Sequence, residues 1–365
     1  MDERQAARRA KRIVVKIGSR TLAGDRKVYE RLASAVATAR AAGRAVVLVS
    51  SGAIALGTKK LGFASRPKEM ARLQAAAAAG QSLLMQAYEE AFAPRGLAVA
   101  QVLLTHADLA DRARGNNARA ALGALLDAGA VPILNENDSV AVDEIKFGDN
   151  DQLAAMVTPL VDADLLVLLS DVEGLLDASG TRIAIVRDGA TEALPHVHAT
   201  TSATAVGSGG MASKLEAARR ATLAGATVVV ADARADSTLE RVLDGEDVGT
   251  LFVAAKERLS AKKHWIAFTL RPRGDVVLDR GASAAVRAQG KSVLSVGVLG
   301  VRGDFRAGDA VRLLDPDAIE IGRGLARCSA TDAAAIAGKT KEELPETLAE
   351  LFVIVHRDDL ALVTR

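Results

Sequence analysis

Seven carboxylate and carboxamide side chains lie in two short segments of the chain, NEND at 135–138 and DND at 149–151. The first segment directly follows the apolar run VPIL, and the second precedes an apolar pattern with helical spacing. Because such a cluster would repel a phosphate, we expect it to recognise a positive group: a substrate ammonium, a metal ion or lysines of the same site. The alternative is a solvated acidic loop in which Asp149 or Asn150 caps a helix.

Two lysines occur where the charge of a bound anion could be neutralised. Lys16 ends the strand-like run IVVKI and precedes Gly18, so that backbone N–H groups can approach an anion closely. Lys214 follows the glycine-rich stretch GSGGMAS in the first turns of an amphipathic helical pattern. Such a loop can wrap a polyphosphate, and Lys214 can neutralise charge on a transferred group. The alternative for Lys16 is a lysine that caps the edge of a strand.

Hydroxyl groups end two further strand-like runs. Ser50 and Ser51 lie before Gly52 and a helical pattern, which predicts a second cradle for an anion or a carboxylate. Ser170 and Asp171 end the run LVLLSD and could bind a nucleotide, although the same residues could form an ordinary turn. Neither Ser50 nor Ser51 lies in a G-x-S-x-G motif, which argues against a hydrolase nucleophile.

The glycine-rich stretch 207–212 also matches the G-x-G-x-x-A pattern of dinucleotide-binding proteins, with Asp232 at a suitable spacing. That pattern requires a strand immediately before it, whereas the preceding HVHATTSATAV is rich in Ser and Thr and favours a loop. We therefore prefer a phosphate-binding loop of another kind. His196 and His198 form H-x-H without a nearby carboxylate or cysteine pattern, so we predict no metal site built from protein ligands.

Short apolar runs that could carry these side chains alternate with longer stretches of helical spacing. This order predicts an α/β fold with a mainly parallel open sheet sandwiched by helices. Gly43, Gly129 and Gly225 each precede a strand-like run, where a left-handed helix C-cap is needed. Residues 69–92 are predicted to form one long helix in which AAAAAG marks close packing. The predicted strands are IVVKI, AVVLVS, AVAQVLL, VPILNEN, DLLVLLSD and ATVVVAD.

The pattern changes after about residue 255. Strand-like pieces such as WIAFTL and FVIVHRDD are there separated by Gly and Asp turns, which predicts a small β-rich domain. A length of 365 residues also favours two domains. The predicted organisation is a catalytic domain at 1–256, a linker at 257–272, a β-rich domain at 273–355 and a C-terminal tail at 356–365.

The composition restricts the class of protein. A hydrophobic fraction of 49% and a charged fraction of 25% are typical of a globular protein, and a net charge of +2 does not favour nucleic acid or a membrane surface as partner. The single Cys328 excludes an intramolecular disulfide and favours a reducing compartment. No apolar run reaches the ~18 residues of a membrane span, and MDERQAARRAKR lacks the apolar segment of a signal peptide. We therefore predict a cytoplasmic location.

Five sets of motif residues occur in this order along the chain: VVKIGS, SSGAIALG, NENDSV with FGDND, LLSDVEGL and GSGGMASKLEAA. Together they resemble the amino acid kinase family, and within it the members that phosphorylate glutamate. The resemblance spans nearly the whole chain, and the C-terminal part resembles a PUA domain. Ser208 and Ala212 stand where threonine and serine are expected, and Leu176 stands where tyrosine is common. The resemblance implies transfer from ATP, with Mg²⁺, to the γ-carboxylate of L-glutamate as the first step toward proline. It also implies inhibition by L-proline and homo-oligomerisation.

The resemblance further implies roles for individual residues. Lys16 and Lys214 would act on the phosphoryl group, and Asp151 would hold both lysines in place. Ser51, Asp138 and Asn150 would bind glutamate, with Asp138 facing its ammonium and Asn150 a carboxylate. The residues implied in ATP binding are Lys16, Ser170, Asp171, Ser208, Gly209, Gly210, Met211, Ala212, Ser213 and Lys214.

Two other functions stay open at this point. A family member that acts on N-acetylglutamate, aspartate, carbamate or a nucleoside monophosphate would share the lysines and glycines, but an acylated substrate would lack the ammonium that the acidic cluster could bind. An RNA-binding function for the PUA-like part is weakly supported, because residues 256–365 carry only a small positive net charge.

Overall fold

The computed structural model describes residues 3–24, 26–141, 150–187 and 210–363. The chain divides into two compact units, Met1–Arg258 and Leu259–Arg365. Within the described residues, no helix has both the length and the apolar character needed to cross a membrane.

The first unit is built from strands and helices that alternate along the chain. Its strands are β1 (Arg12–Ile17), β2 (Ala45–Ser50), β3 (Val99–Leu104), β4 (Val131–Glu136), β5 (Leu165–Ser170), β6 (Ile185–Val186), β7 (Thr227–Asp232) and β8 (Thr250–Phe252). Its helices are α1 (Gln5–Arg9), α2 (Ser19–Gly24), α3 (Lys27–Ala41), α4 (Ala53–Lys60), α5 (Met70–Phe92), α6 (His106–Ala110), α7 (Arg112–Asp127), α8 (Asn150–Leu160), α9 (Met211–Leu223) and α10 (Thr238–Leu243), with a 3₁₀ turn at Ala93–Arg95.

The strands of this unit form one sheet in the order β3-β4-β2-β1-β5-β7-β8-β6. Neighbouring strands run parallel except for β7 and β8. This confirms the predicted α/β class and all six predicted strands. The predicted C-cap glycines adopt positive φ values of 75° at Gly43, 81° at Gly129 and 96° at Gly225. Because β1 lies between β2 and β5, residues at its carboxyl end are surrounded by other strand ends.

Side chains alternate between the two faces of the sheet along each strand. Both faces are buried, because an apolar cluster that includes helices packs on each of them. Ile13, Val15 and Ile17 of β1 pack in the cluster that includes α3, α5 and α10. Val14 packs on the opposite face, in the cluster that includes α7, α8 and α9. Lys16 lies two residues after Val14 in β1, so its side chain is on the same face of the sheet as that of Val14. This is the face that α8 and α9 cover.

Helices α4 and α5 approach each other unusually closely. A Cβ atom built on Gly57 would lie 1.7 Å from the carbonyl oxygen of Ala76, and one built on Gly80 would lie 1.8 Å from that of Ala53. No real contact is that short, so both positions require glycine. The AAAAAG segment of α5 thus marks close helix packing, as predicted.

A Gly80→Ala substitution is expected to lower the free energy of unfolding by about 2–3 kcal/mol, because the added methyl group must force α4 and α5 apart. The matched control is Gly123→Ala in α7, where a Cβ would meet nothing within 4 Å. That control should gain up to about 1 kcal/mol from better helix propensity. Urea unfolding of both variants measures the difference, and equal stabilities would contradict the packing argument.

The second unit contains a mostly antiparallel sheet. Its strands are β9 (Gly274–Leu278), β10 (Val293–Leu294), β11 (Val298–Gly303), β12 (Ala310–Leu314), β13 (Glu320–Ala326) and β14 (Val353–Leu362), in the order β10-β14-β13-β12-β9-β11. Its helices are α11 (Ala261–His264), α12 (Arg280–Gln289) and α13 (Ala330–Ile336), with shorter helical turns at Trp265–Thr269, Ser295–Gly297, Lys341–Glu343 and Ala349–Phe352. The β-rich domain predicted for this region is confirmed.

Two local features of this unit differ from the sequence analysis. The run WIAFTL is a π-helical turn rather than a strand; it continues α11, which Ser260 caps, and buries Ile266 and Phe268. A short apolar run has no periodicity that separates a buried helix from a strand. The predicted boundary between the β-rich domain and a tail at 356–365 falls inside β14, in which Leu360, Ala361 and Leu362 pair with β13.

Candidate active site

Three elements of the first unit bring Lys16, Asp151 and Lys214 together. Lys16 lies near the carboxyl end of β1, Asp151 in the first turn of α8, and Lys214 in the first turn of α9. Nζ of Lys16 is 2.6 Å from Oδ1 of Asp151, and Nζ of Lys214 is 3.1 Å from Oδ2 of the same carboxylate. The two lysines, 198 positions apart in the sequence, therefore share one acidic partner.

The shared carboxylate is fully buried, and the lysines are 6% and 4% exposed. Burial by itself would raise the pKa of Asp151, because it disfavours the charged form. The charges and hydrogen bonds of Lys16 and Lys214 outweigh burial and hold that pKa below its ordinary value of 3.8. Asp151 is consequently ionised at neutral pH.

This cluster of two ammonium groups and one carboxylate has a net charge of +1 and lies in a cleft. Lys16 and Lys214 both line that cleft, which has a volume of about 370 Å³. A buried excess charge is costly unless it is paired, and at an effective dielectric near 20 an opposite charge ~4 Å away returns about 4 kcal/mol. The arrangement therefore favours an anionic ligand at the inner end of the cleft.

Amide groups form a second wall of the cleft. Nδ2 of Asn150 lies 2.8 Å from the carbonyl oxygen of Ser50, 2.9 Å from Oγ of Ser51 and 2.9 Å from Oδ1 of Asn135. Its two hydrogens are thus shared among three protein acceptors. Asn150 therefore fixes Ser51, and since Ser51 Oγ accepts from this amide, the serine hydroxyl hydrogen is left to donate to a ligand.

Helix α5 supports this wall from behind with residues that the sequence analysis did not include in the site. Asn135 donates to Oε1 of Gln81 at 2.9 Å, and the hydroxyl of Tyr88 donates to Oγ of Ser50 at 2.8 Å. Gln81 and Tyr88 are both buried. A polar side chain on the buried stripe of a long apolar helix is the sequence signal that could have identified Gln81.

Asp138 lies at a third position on the wall, just beyond the end of β4. Its carboxyl is half-buried, and the incomplete solvation raises its pKa to about 6, against the lowering effect of the Arg66 guanidinium. Arg66 lines the same cleft and was also not identified from the sequence. Among the residues that the structure describes, no side chain forms an ion pair with this carboxyl, which suits it to a cationic ligand group.

The N-terminus of α4 opens into the cleft. Gly52 precedes the helix with φ 110° and provides no side-chain cap, and the cleft is lined by Ser51, Gly52, Ala53, Ile54 and Ala55. The first backbone N–H groups of a helix have no acceptor within it. These groups lie at the cleft next to Ser51 and Gly52, where the sequence predicts a cradle for an anion or a carboxylate.

The residues predicted to bind a nucleotide are only partly brought together. Ser170 and Asp171 line the cleft at the end of β5, where Asp171 is paired with Arg20 at 2.9 Å. Gly210, Met211, Ala212 and Ser213 form the start of α9 and lie outside the residues that line the cleft, whereas Lys214 reaches it. Ser208 and Gly209 lie outside the described residues, as do His196 and His198.

In the part of the chain that the structure describes, there is no group of three or more His, Cys, Asp and Glu side chains arranged to hold a metal ion. Asp171 offers one carboxylate to the cleft that the two lysines also line, but its oxygens already accept from Arg20. A divalent cation in this cleft would thus need most of its ligands from a bound phosphate and from water.

Comparisons with known proteins agree with this geometry. Residues 11–232 match the amino acid kinase family and residues 274–348 match the PUA domain. The chain is 44% identical to a glutamate 5-kinase of Geobacter sp. (strain M21), over 99% of this chain and 100% of the relative. It is 46% identical to glutamate 5-kinases of Cupriavidus taiwanensis, over 97% and 98%, and of Thermus thermophilus, over 97% and 97%.

Proposed function

Since the chain belongs to the glutamate 5-kinases of the amino acid kinase family, we propose that its cleft transfers the terminal phosphoryl group of ATP to the γ-carboxylate of L-glutamate. The products are γ-glutamyl phosphate and ADP, and the reaction begins proline biosynthesis. The observation that carries this function is the buried pair Lys16 and Lys214 around Asp151, which provides excess positive charge where two anionic reactants must meet.

The nucleophile of this reaction needs no general base. The γ-carboxylate of glutamate has an ordinary pKa near ~4.3 and is ionised at neutral pH. Catalysis therefore consists of alignment and charge neutralisation. Two reacting anions ~4 Å apart repel each other by roughly 4 kcal/mol at an effective dielectric near 20, and the lysines offset this repulsion.

Each side chain of the cluster has a separate role in the proposal. Lys16 lies on the side of the attacking carboxylate and the β- and γ-phosphates, and Lys214 on the side of the leaving group. Asp151 holds both ammonium groups in place at the cleft, since it contacts each of them with a different oxygen.

Glutamate binds along the amide wall. The hydroxyl of Ser51 and the free N–H groups of α4 hold its γ-carboxylate, and Asp138 pairs with its ammonium. Asn150 acts on the substrate by orienting Ser51, because its own amide hydrogens are shared among protein acceptors. ATP binds along Ser170, Asp171 and the segment 208–214.

When bound, Mg²⁺ would be held chiefly by the phosphates of the nucleotide and by water, and it would neutralise charge on the phosphate oxygens. The Asp171 carboxylate, which already accepts from Arg20, fits this arrangement because it would supply at most one ligand. L-proline also carries a positively charged nitrogen, in its case a ring ammonium, and a carboxylate on its α-carbon, so it would compete at Asp138 and inhibit the enzyme. On the basis of the family we also propose a homo-oligomer, located in the cytoplasm, where ATP is available.

The proposed activity is tested with purified protein, ATP, Mg²⁺ and hydroxylamine, which converts an acyl phosphate to a coloured hydroxamate. L-Glutamate is expected to give hydroxamate, whereas N-acetylglutamate and L-aspartate are not. Hydroxamate from N-acetylglutamate instead of glutamate would assign the chain to a different substrate, and a lack of product with every acid would reject carboxyl phosphorylation.

The dependence on pH should report the ionisation of Asp138. Because the pKa of this group is raised to about 6, it loses its proton and gains affinity for the substrate ammonium as pH rises from 5 to 7. We expect kcat/KM for glutamate to increase over this range with a midpoint near the same value, while kcat at saturating glutamate changes little. Initial rates across the pH range measure both parameters.

The control for this pH dependence is Asp138→Asn, which cannot ionise. It should raise the KM for glutamate roughly 10- to 100-fold, leave the KM for ATP nearly unchanged and remove the inflection. An inflection that persists in the variant would assign the titration to another group.

A further inference from the structure

Arg66 is a cleft residue to which the proposed reaction assigns no role. Among the described residues, the cationic side chains that line the cleft are Lys16, Arg20, Lys59, Arg66 and Lys214. Lys16 and Lys214 are bound to Asp151, and Arg20 is bound to Asp171. Within the part of the chain that the structure describes, neither Arg66 nor Lys59 makes an ion pair or a side-chain hydrogen bond. With respect to the described residues, these two charges can therefore bind a ligand.

The segment that carries Arg66 is held at both ends. It connects α4 to α5, the helices that Gly57 and Gly80 allow to approach closely. The backbone N–H of Phe63 donates to the carbonyl oxygen of Thr58 at 2.9 Å, and the guanidinium of Arg72 lies 5.8 Å from the centre of the Phe63 ring. Pro67 restricts the backbone of the residue before it to extended conformations. Arg66 is thus placed by a short, anchored connection.

Arg66 and Asp138 line the same cleft, and the positive charge of Arg66 favours the ionised form of the Asp138 carboxyl, which lowers its pKa. The carboxyl of Asp138 and the guanidinium of Arg66 form no ion pair with each other, so each can still bind an oppositely charged group of a ligand in this cleft. An α-amino acid carries an ammonium and a carboxylate on the same carbon, and it requires this combination of charges.

The cationic side chains of the cleft differ in burial, and this difference also orients a ligand. Lys16 and Lys214 are buried at its inner end, whereas Arg66 is exposed. A substrate with its γ-carboxylate at the lysines would accordingly direct its α-carbon toward Asp138 and Arg66. A guanidinium can bind a carboxylate through two parallel hydrogen bonds, which makes it selective for this group.

We propose that Arg66 binds the α-carboxylate of the substrate and, with Asp138, selects a free α-amino acid. This inference rests on the proposed function and adds a specificity-determining residue to it. Asp138 rejects acids that lack the ammonium, and Arg66 rejects acids whose α-carboxylate is missing or neutralised. The γ-carboxylate, which reacts, is recognised separately at the inner end of the cleft.

The test combines a variant with a change in the substrate. Arg66→Gln removes the charge, and L-isoglutamine, the α-amide of glutamate, removes the matching charge from the ligand while keeping the ammonium and the γ-carboxylate. For L-glutamate, the variant should show a roughly 10- to 100-fold higher KM with kcat and the KM for ATP within about twofold of wild type. Its kcat/KM for isoglutamine should equal that of wild type. Arg66→Lys should restore part of the affinity for glutamate.

Lys59→Gln is the matched comparison, since it removes the other available cation of the same cleft. It should change the KM for glutamate by less than about twofold. A glutamate KM unaltered by Arg66→Gln, an equal loss with isoglutamine, or a larger effect of Lys59→Gln would each overturn the role of Arg66. The wild-type reaction with L-glutamate tests the proposed function separately, because a wild type inactive with glutamate rejects that function whatever the variants do.

Discussion

An Asp151→Asn variant is expected to have a kcat roughly 100- to 1,000-fold lower than that of wild type, because the substitution leaves two buried ammonium groups without the carboxylate that holds them. Breaking a buried ion pair from one side typically costs about 3–5 kcal/mol, so the variant should also unfold more easily. Both effects follow from the burial of Asp151, which is 0% exposed. Steady-state kinetics and urea unfolding measure them.

The stability difference should also depend on pH in a defined direction. The pKa of Asp151 is lowered in the folded protein, so its stabilising contribution is present above the ordinary value of 3.8 and is lost as pH falls toward the depressed one. Asp162→Asn is the control, because Asp162 is 68% exposed in its pair with Arg119, and such surface pairs contribute at most about 1 kcal/mol. Equal losses in the two variants would contradict a buried organising carboxylate.

A Lys214→Met variant should lose roughly a thousandfold in kcat while its KM for ATP changes by less than about threefold. Methionine retains most of the length of the side chain and removes the charge, so the loss reports electrostatics rather than a cavity. We expect kcat to fall much more than ATP affinity, because charge builds on the leaving group only as the phosphoryl group moves away. Initial-rate kinetics with varied ATP at saturating glutamate provide both values.

Lys60→Met provides the comparison for this variant. Lys60 is exposed and donates to Oγ of Ser82 and to the carbonyl oxygen of Ala79, so its removal should leave kcat within about twofold. If Lys214→Met weakened ATP binding as strongly as it slowed turnover, Lys214 would bind the ground state of the nucleotide and the proposed role on the leaving side would be wrong.

Much of the fold was predictable because its signals are local. Six strands of the first unit are mainly apolar runs of six residues each, and the glycines before several of them adopt the left-handed conformation that ends a helix. The π-helical turn Trp265–Thr269 was not predictable in this way. Its apolar residues fit either a buried strand or a buried helix, and the choice depends on what they pack against.

The residues of the candidate site were likewise predictable only where their signal is local. Lys16, Ser51, Ser170 and Asp171 are near strand ends, and a parallel sheet gathers those ends at one edge, which made these residues identifiable. Gln81 and Arg66 belong to α5 and to the segment before it, and neither lies in a chemical motif. Their relation to Asn135 and Asp138 exists only because the α4–α5 pair packs beside the end of β4.

By itself the sequence determined the alternating α/β order, the positions at which strands end and the residue types capable of neutralising a phosphate. Tertiary structure alone decided that Asp151 contacts both lysines, that the hydrogens of Asn150 are shared within the protein, and that Arg66 and Asp138 line the same cleft. The physical reason is the distance along the chain over which each kind of interaction acts. Periodicity and turn chemistry act over a few residues, whereas burial and charge pairing depend on groups that meet only after the chain has folded.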